Sequence, residues 1–70
     1  MPIPMPALYP NLKSMMVENG LTYDDLAVIT GRSVEDVSHK MDGTLEWSIY
    51  DAVLICRYLR YPDLRLLFVR

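Results

Sequence analysis

The side chains able to do chemistry are few in this chain. His39 is the only histidine and Cys56 the only cysteine. A histidine- or cysteine-based metal cluster is therefore excluded, as are an internal disulfide framework and a cysteine-based zinc finger. The carboxylates form no isolated pair of the kind that general acid–base catalysis uses. No glycine-rich phosphate loop or calcium-loop pattern occurs. The expectation is a non-enzyme with no metal and no cofactor. Recognition through surface side chains remains, and its candidates are the polar residues between Thr22 and Thr44 and the arginines of the last third.

The charges are unevenly placed. Seven Lys and Arg against nine Asp and Glu give a net charge of −2, which does not advertise nucleic-acid binding. Residues 1–47 hold three basic side chains and seven acidic ones, whereas residues 48–70 hold Arg57, Arg60, Arg65 and Arg70 against two aspartates. Seventy residues make one domain. The longest strictly apolar run, Ala52 to Cys56, is far short of the ~18 residues of a membrane span. With no Lys or Arg before Lys13, the N-terminus does not read as a signal peptide. A small, soluble, cytoplasmic domain is expected.

The elements that must position these residues are helices. Residues 1–10, MPIPMPALYP, place proline at every second position up to Pro6, which predicts an extended arm. That arm either lays Ile3, Met5 and Leu8 on the domain surface or reaches a partner. Leu12, Met15 and Met16 then mark one stripe of a first helix over 11–19, closed by Gly20. Thr22-Tyr-Asp-Asp25, Ser33-Val-Glu-Asp36 and Ser48-Ile-Tyr-Asp51 each set a hydroxyl three positions before an acid, a helix-start signature. The second helix, about 23–30, buries Leu26, Ala27 and Ile29 and stops at Gly31. The third, about 34–42, turns Val34, Val37 and Met41 inward and stops at Gly43.

The fourth helix, about 49–60, has Ile49, Ala52, Val53, Cys56 and Leu59 on one face and Leu54, Ile55 and Tyr58 on another. That is more apolar surface than one contact needs, so this helix is central or partly at an interface. Cys56 reads as a buried structural thiol and Trp47 as a core anchor. Pro62 can open a fifth helix with Leu64, Leu67 and Phe68 in a stripe, although Leu66 to Val69 fits a strand equally. The fold class is all-α: a compact four- to five-helix bundle over 11–70 containing a helix-turn-helix, with a proline-rich N-terminal arm.

Two short helices joined through Gly31-Arg32-Ser33 are the helix-turn-helix arrangement. The segments Gly20-Leu-Thr-Tyr-Asp-Asp-Leu-Ala27, Thr30-Gly-Arg-Ser33 and Val37-Ser-His-Lys-Met-Asp-Gly43 resemble the lambda-repressor-like helix-turn-helix family of phage repressors, Cro and xenobiotic-response-element-type regulators. The likeness covers about residues 11–68. Val37 to Gly43 is similar to the family's V-S-x-K-hydrophobic-N-G variant, with Asp42 in place of the asparagine. The resemblance implies a sequence-specific DNA-binding regulator of phage or mobile-element type, acting on double-stranded DNA as a homodimer with the helix about 33–42 in the major groove. It places Tyr23, where the family often has a glutamine, on phosphate, and Arg32 beside it in the turn. Ser33, Val34, Glu35, Ser38 and His39 fall where bases are read, and Lys40 and Thr44 where phosphate is held. Leu64, Leu67 and Phe68 would form the dimer interface that such proteins build from the C-terminal helix.

The sequence departs from that family in its charge. Residues 22–43 carry two basic side chains against five acidic ones, and phosphate neutralisation supplies most non-specific affinity. A second function shares the same fold: a protein–protein interaction module, with an acidic or apolar partner and weak or no DNA binding.

Overall fold

The computed structural model describes residues 8–70. Five helices follow one another: α1 Pro10–Asn19, α2 Tyr23–Thr30, α3 Val34–Met41, α4 Ile49–Leu59 and α5 Leu64–Leu67. No strand occurs among the described residues, so the ambiguous Leu66–Val69 stretch resolves in favour of a helical turn. Of the anticipated arm, Ile3 and Met5 lie outside the described residues. Leu8 packs half-buried on the domain, Tyr9 is buried in its core, and Pro10 is the first residue of α1.

The three hydroxyl–acid signatures all cap helices, in three different ways. At α2 the box is complete: the Asp25 amide donates to Thr22 Oγ1 at 3.3 Å, and the Thr22 amide donates to Asp25 Oδ2 at 2.8 Å. At α3 only one half forms, with the Asp36 amide donating to Ser33 Oγ at 3.1 Å. At α4 the Asp51 amide donates to Ser48 Oγ at 3.1 Å, while the Asp51 carboxylate is used elsewhere. Asp63, rather than Pro62, starts α5 by accepting from the amides of Arg65 and Leu66. Asn11 Nδ2 donates to the Leu66 carbonyl at 2.8 Å, adding a second donor at the C-terminal end of α5 and tying it to α1.

One core joins all five helices: Tyr9, Leu12, Met16, Leu26, Ala27, Val37, Met41, Ile55, Cys56 and Leu67, with Trp47 and Phe68 packed against it. Phe68 stands between Tyr9 and Trp47 in edge-on contacts, at ring separations of 6.3 and 5.6 Å.

Two apolar faces differ from expectation. On α4 the buried set is Asp51, Ala52, Ile55 and Cys56, and Ile49 and Val53 are exposed. The helix is turned so that Asp51, rather than Ile49, enters the core, where cations from the α2–α3 unit meet it. Val34, expected to face inward, is partly exposed at the first turn of α3, where Val37, Lys40 and Met41 supply the buried side.

Candidate nucleic-acid interface

The α2–α3 unit turns at Gly31, whose φ of 70° belongs to the left-handed region that only glycine enters without a steric penalty. The Arg32 amide reaches back to the Ala27 carbonyl at 3.0 Å, which closes α2 within one residue and releases the chain into α3 at Ser33. The turn is short, and α3 lies across the domain with one side in the core and the other in solvent.

Most residues anticipated at a DNA surface are exposed. Tyr23 stands in the first turn of α2; Arg32 and Ser33 occupy the turn; Val34, Glu35, Ser38 and His39 line the outward side of α3; Thr44 follows it. Asp42, also exposed, accepts from the Thr44 amide at 2.8 Å. The Thr44 hydroxyl and, after it, that backbone bond hold the Asp42 carboxyl below its ordinary value. The acid at the family's asparagine position therefore closes the turn after α3, a local structural role.

Lys40 corrects the expectation drawn from sequence. It was expected on phosphate and is instead buried, its ammonium against Asp51 Oδ2 at 2.5 Å, where Asp51 has no solvent exposure. The Lys40 ammonium also lies 5.5 Å from the centre of the Trp47 ring. Arg32 Nε donates to Asp51 Oδ1 at 3.2 Å, with the rest of its side chain partly in solvent. Asp51 therefore holds both cations of the α2–α3 unit, one on each carboxylate oxygen. Burial pushes this carboxyl upward; hydrogen bonds from Lys40, Ser48 and Arg32, together with the Lys40 charge, outweigh it and leave the group below its ordinary value. The outward side of α3 keeps Glu35, Ser38 and His39 as its polar groups, with no free Lys or Arg among them.

Asp51 is the residue that sequence reasoning missed. Its role as a helix-start acid accounted for it fully, so nothing drew attention to its second position. At the spacing of Ala52, Ile55 and Cys56 it falls on the buried side of α4, a place a carboxylate occupies only when paired. The interface expected from Leu64, Leu67 and Phe68 is also corrected. Leu67 is fully buried and Leu64 and Phe68 pack against the core, because α5 is a single turn whose apolar side is needed to close the domain.

The hollows of the described surface include an open groove of about 400 Å³ beside Lys13, Ser14, Val17 and Glu18, and one of about 150 Å³ beside Tyr9, Glu46, Trp47, Phe68 and Arg70. Neither is lined by α2 or α3. Among the described residues no three His, Cys, Asp or Glu side chains converge as a metal site would require. No described helix is long and apolar enough to cross a membrane. No family model, curated protein or solved structure matches the chain.

Proposed function

We propose that this protein is a sequence-specific DNA-binding regulator of the phage or mobile-element type, working as a homodimer. The observation that carries the reading is the exposed side of α3 directly after the Gly31 turn. Ser33, Val34, Glu35, Ser38 and His39 project from a short helix whose opposite side is locked into the core. A helix held this way presents fixed side chains to a groove. Val34, half-exposed, suits a thymine methyl; Glu35 suits the cytosine amino group; Ser38 and His39 suit either donors or acceptors. Tyr23, Thr44 and the free part of Arg32 are the phosphate-facing groups that remain.

With so few cations free on the α2–α3 unit, binding through it has a weak salt dependence. Each neutralised phosphate contributes about 0.9 to the slope of log K against log salt. One or two contacts per copy therefore give a dimer a slope of roughly −2 to −4. Selection from a random duplex pool, at low and near-physiological salt, tests the reading. Enrichment of a two-fold-symmetric site, with preference altered by Ser38→Ala or His39→Ala, is the expected result. Recovery of no sequence at either salt from folded protein would overturn it.

One observation favours a second reading, an interaction module. Asp51 takes both cations of the α2–α3 unit, and the exposed side that remains is acidic through Asp24, Glu35 and Asp42. A basic protein segment fits that side, and empty duplex selection together with capture of such a segment would move the assignment there.

A further inference from the structure

Arg32 stands in the turn between α2 and α3, one residue before Ser33 caps α3. Its guanidinium carries its N–H donors in a rigid, planar fork. The donor on Nε goes to Asp51 Oδ1 at 3.2 Å, and Lys40 takes the other carboxylate oxygen. Lys40 alone neutralises Asp51, so the cluster keeps a surplus positive charge. That surplus has one outlet: the Arg32 side chain is 43% exposed, against 10% for Lys40 and 0% for Asp51. Among the described residues, its Nη1 and Nη2 groups donate to nothing. Glu35 and Asp36 lie in the first turn of α3 and offset the positive end of its dipole. Arg32 is therefore the group that makes this end of the unit attractive to an anion.

A carboxylate seated on Nε leaves free the edge formed by Nη1 and Nη2. That edge offers two parallel N–H groups at the spacing of two phosphate oxygens. We propose that Asp51 is a positioning residue for phosphate recognition: it holds Arg32 by Nε so that the Nη1–Nη2 edge receives one phosphate of a DNA duplex. The proposal rests on the DNA reading of α3 and says how one contact of that surface is built. Asp51 has no solvent exposure and touches no nucleic acid itself. The arginine is held at both ends, because its amide donates to the Ala27 carbonyl at 3.0 Å. A free arginine loses rotamer freedom on binding, which costs roughly two- to tenfold in affinity. An arginine already held has lost part of that freedom beforehand.

Charge alone predicts the opposite effect. Asp51 is an anion near the expected path of a polyanion, so removing its charge raises duplex affinity if it has no positioning role. The sign of the change separates the two roles.

Titration of a labelled mixed-sequence duplex at low salt, read by fluorescence anisotropy and scaled to the folded fraction from circular dichroism, tests the proposal. Asp51→Asn is expected to weaken binding roughly two- to tenfold. In an Arg32→Ala background the same change is expected to cost nothing further, whereas a role in stability alone moves both backgrounds equally. Arg32→Lys keeps the charge but cannot serve Asp51 and a phosphate at once, and is expected to lose a similar factor. Its site is partly exposed, so it decides the question even where Asp51→Asn does not stay folded. Binding by Arg32→Lys equal to that of the unchanged chain overturns the proposal and leaves the DNA reading standing. So does a rise in affinity in Asp51→Asn. Absence of binding by the unchanged chain, to this duplex and to every sequence of a random pool, overturns both.

Discussion

Replacing Asp51 by asparagine keeps the shape of the side chain and removes its charge. The cost follows from what is left behind. Lys40 has only a tenth of its side chain exposed and would lose its sole ionic partner in the interior. Breaking a buried pair from one side typically costs about 3–5 kcal/mol. Arg32 has 43% of its side chain in solvent and can turn outward, so its share is that of a surface pair, about 0.2–1 kcal/mol. Domains hold roughly 0.05–0.15 kcal/mol of stability per residue. On that scale 70 residues give on the order of 4–10 kcal/mol, so Asp51→Asn removes a third or more of the total. At about 4–8 °C per kcal/mol for a domain of this size, the midpoint of thermal unfolding falls by at least about 12 °C.

Urea unfolding followed by circular dichroism measures the cost. A companion variant separates charge from packing: Lys40→Met with Asp51→Leu removes both buried charges and is expected to cost clearly less than the sum of the single changes. Ser48→Ala, which removes the cap but leaves the carboxylate, is expected to cost about 1 kcal/mol. If Asp51→Asn costs under about 1 kcal/mol, as an exposed pair would, the claim that this carboxylate anchors the α2–α3 unit to α4 is refuted.

Other outcomes follow from single features. The Asp51 carboxyl is held below its ordinary value in the folded chain, and Asp42 shifts the same way, so the folded state binds fewer protons than the unfolded one in the carboxylate range. Their contribution is complete above about pH 4 to 5 and is lost as pH falls through the lower folded values; Asp51→Asn should flatten this limb of a melting-temperature profile between about pH 2 and 5. Arg60 closes α4 at a φ of 55°, a left-handed position with a side chain attached. Arg60→Gly relieves about 1–2 kcal/mol of backbone strain against about 0.5–1 kcal/mol of added chain entropy. A gain of up to about 1.5 kcal/mol in urea unfolding is expected, and a loss there would show that Arg60 makes a contact of its own.

The helix boundaries were legible in the sequence because they rest on local chemistry. A hydroxyl three residues before an acid and a glycine at a helix end act within one turn, and α2, α3 and α4 begin where Thr22, Ser33 and Ser48 indicated. The orientation of α4 was not legible, since apolar residues occur all round it and local pattern cannot choose a side. Pairing of Lys40 with Asp51, eleven positions apart, is a tertiary fact. Lysine in a solvent-facing pattern and lysine in a buried pair read alike in one dimension. Burial of Tyr9 was hidden for a similar reason: it follows a run of prolines that signals an extended arm, and nothing local marks the point where the chain joins the core.

Cys56 gives the α4–α5 corner a built-in sensor. The thiol is buried, and burial together with the nearby Asp63 charge raises it above its ordinary value, so in the closed chain it is slow to react. The element beside it is one helical turn, held by the Asp63 cap, the Asn11 bond and Leu67. Such a turn opens more readily than the longer helices of the core. Labelling of Cys56 by a thiol reagent therefore records how often that turn lifts. In Asn11→Ala the labelling rate should increase while the urea midpoint moves only slightly, which would set the opening of the C-terminal turn apart from the unfolding of the whole domain.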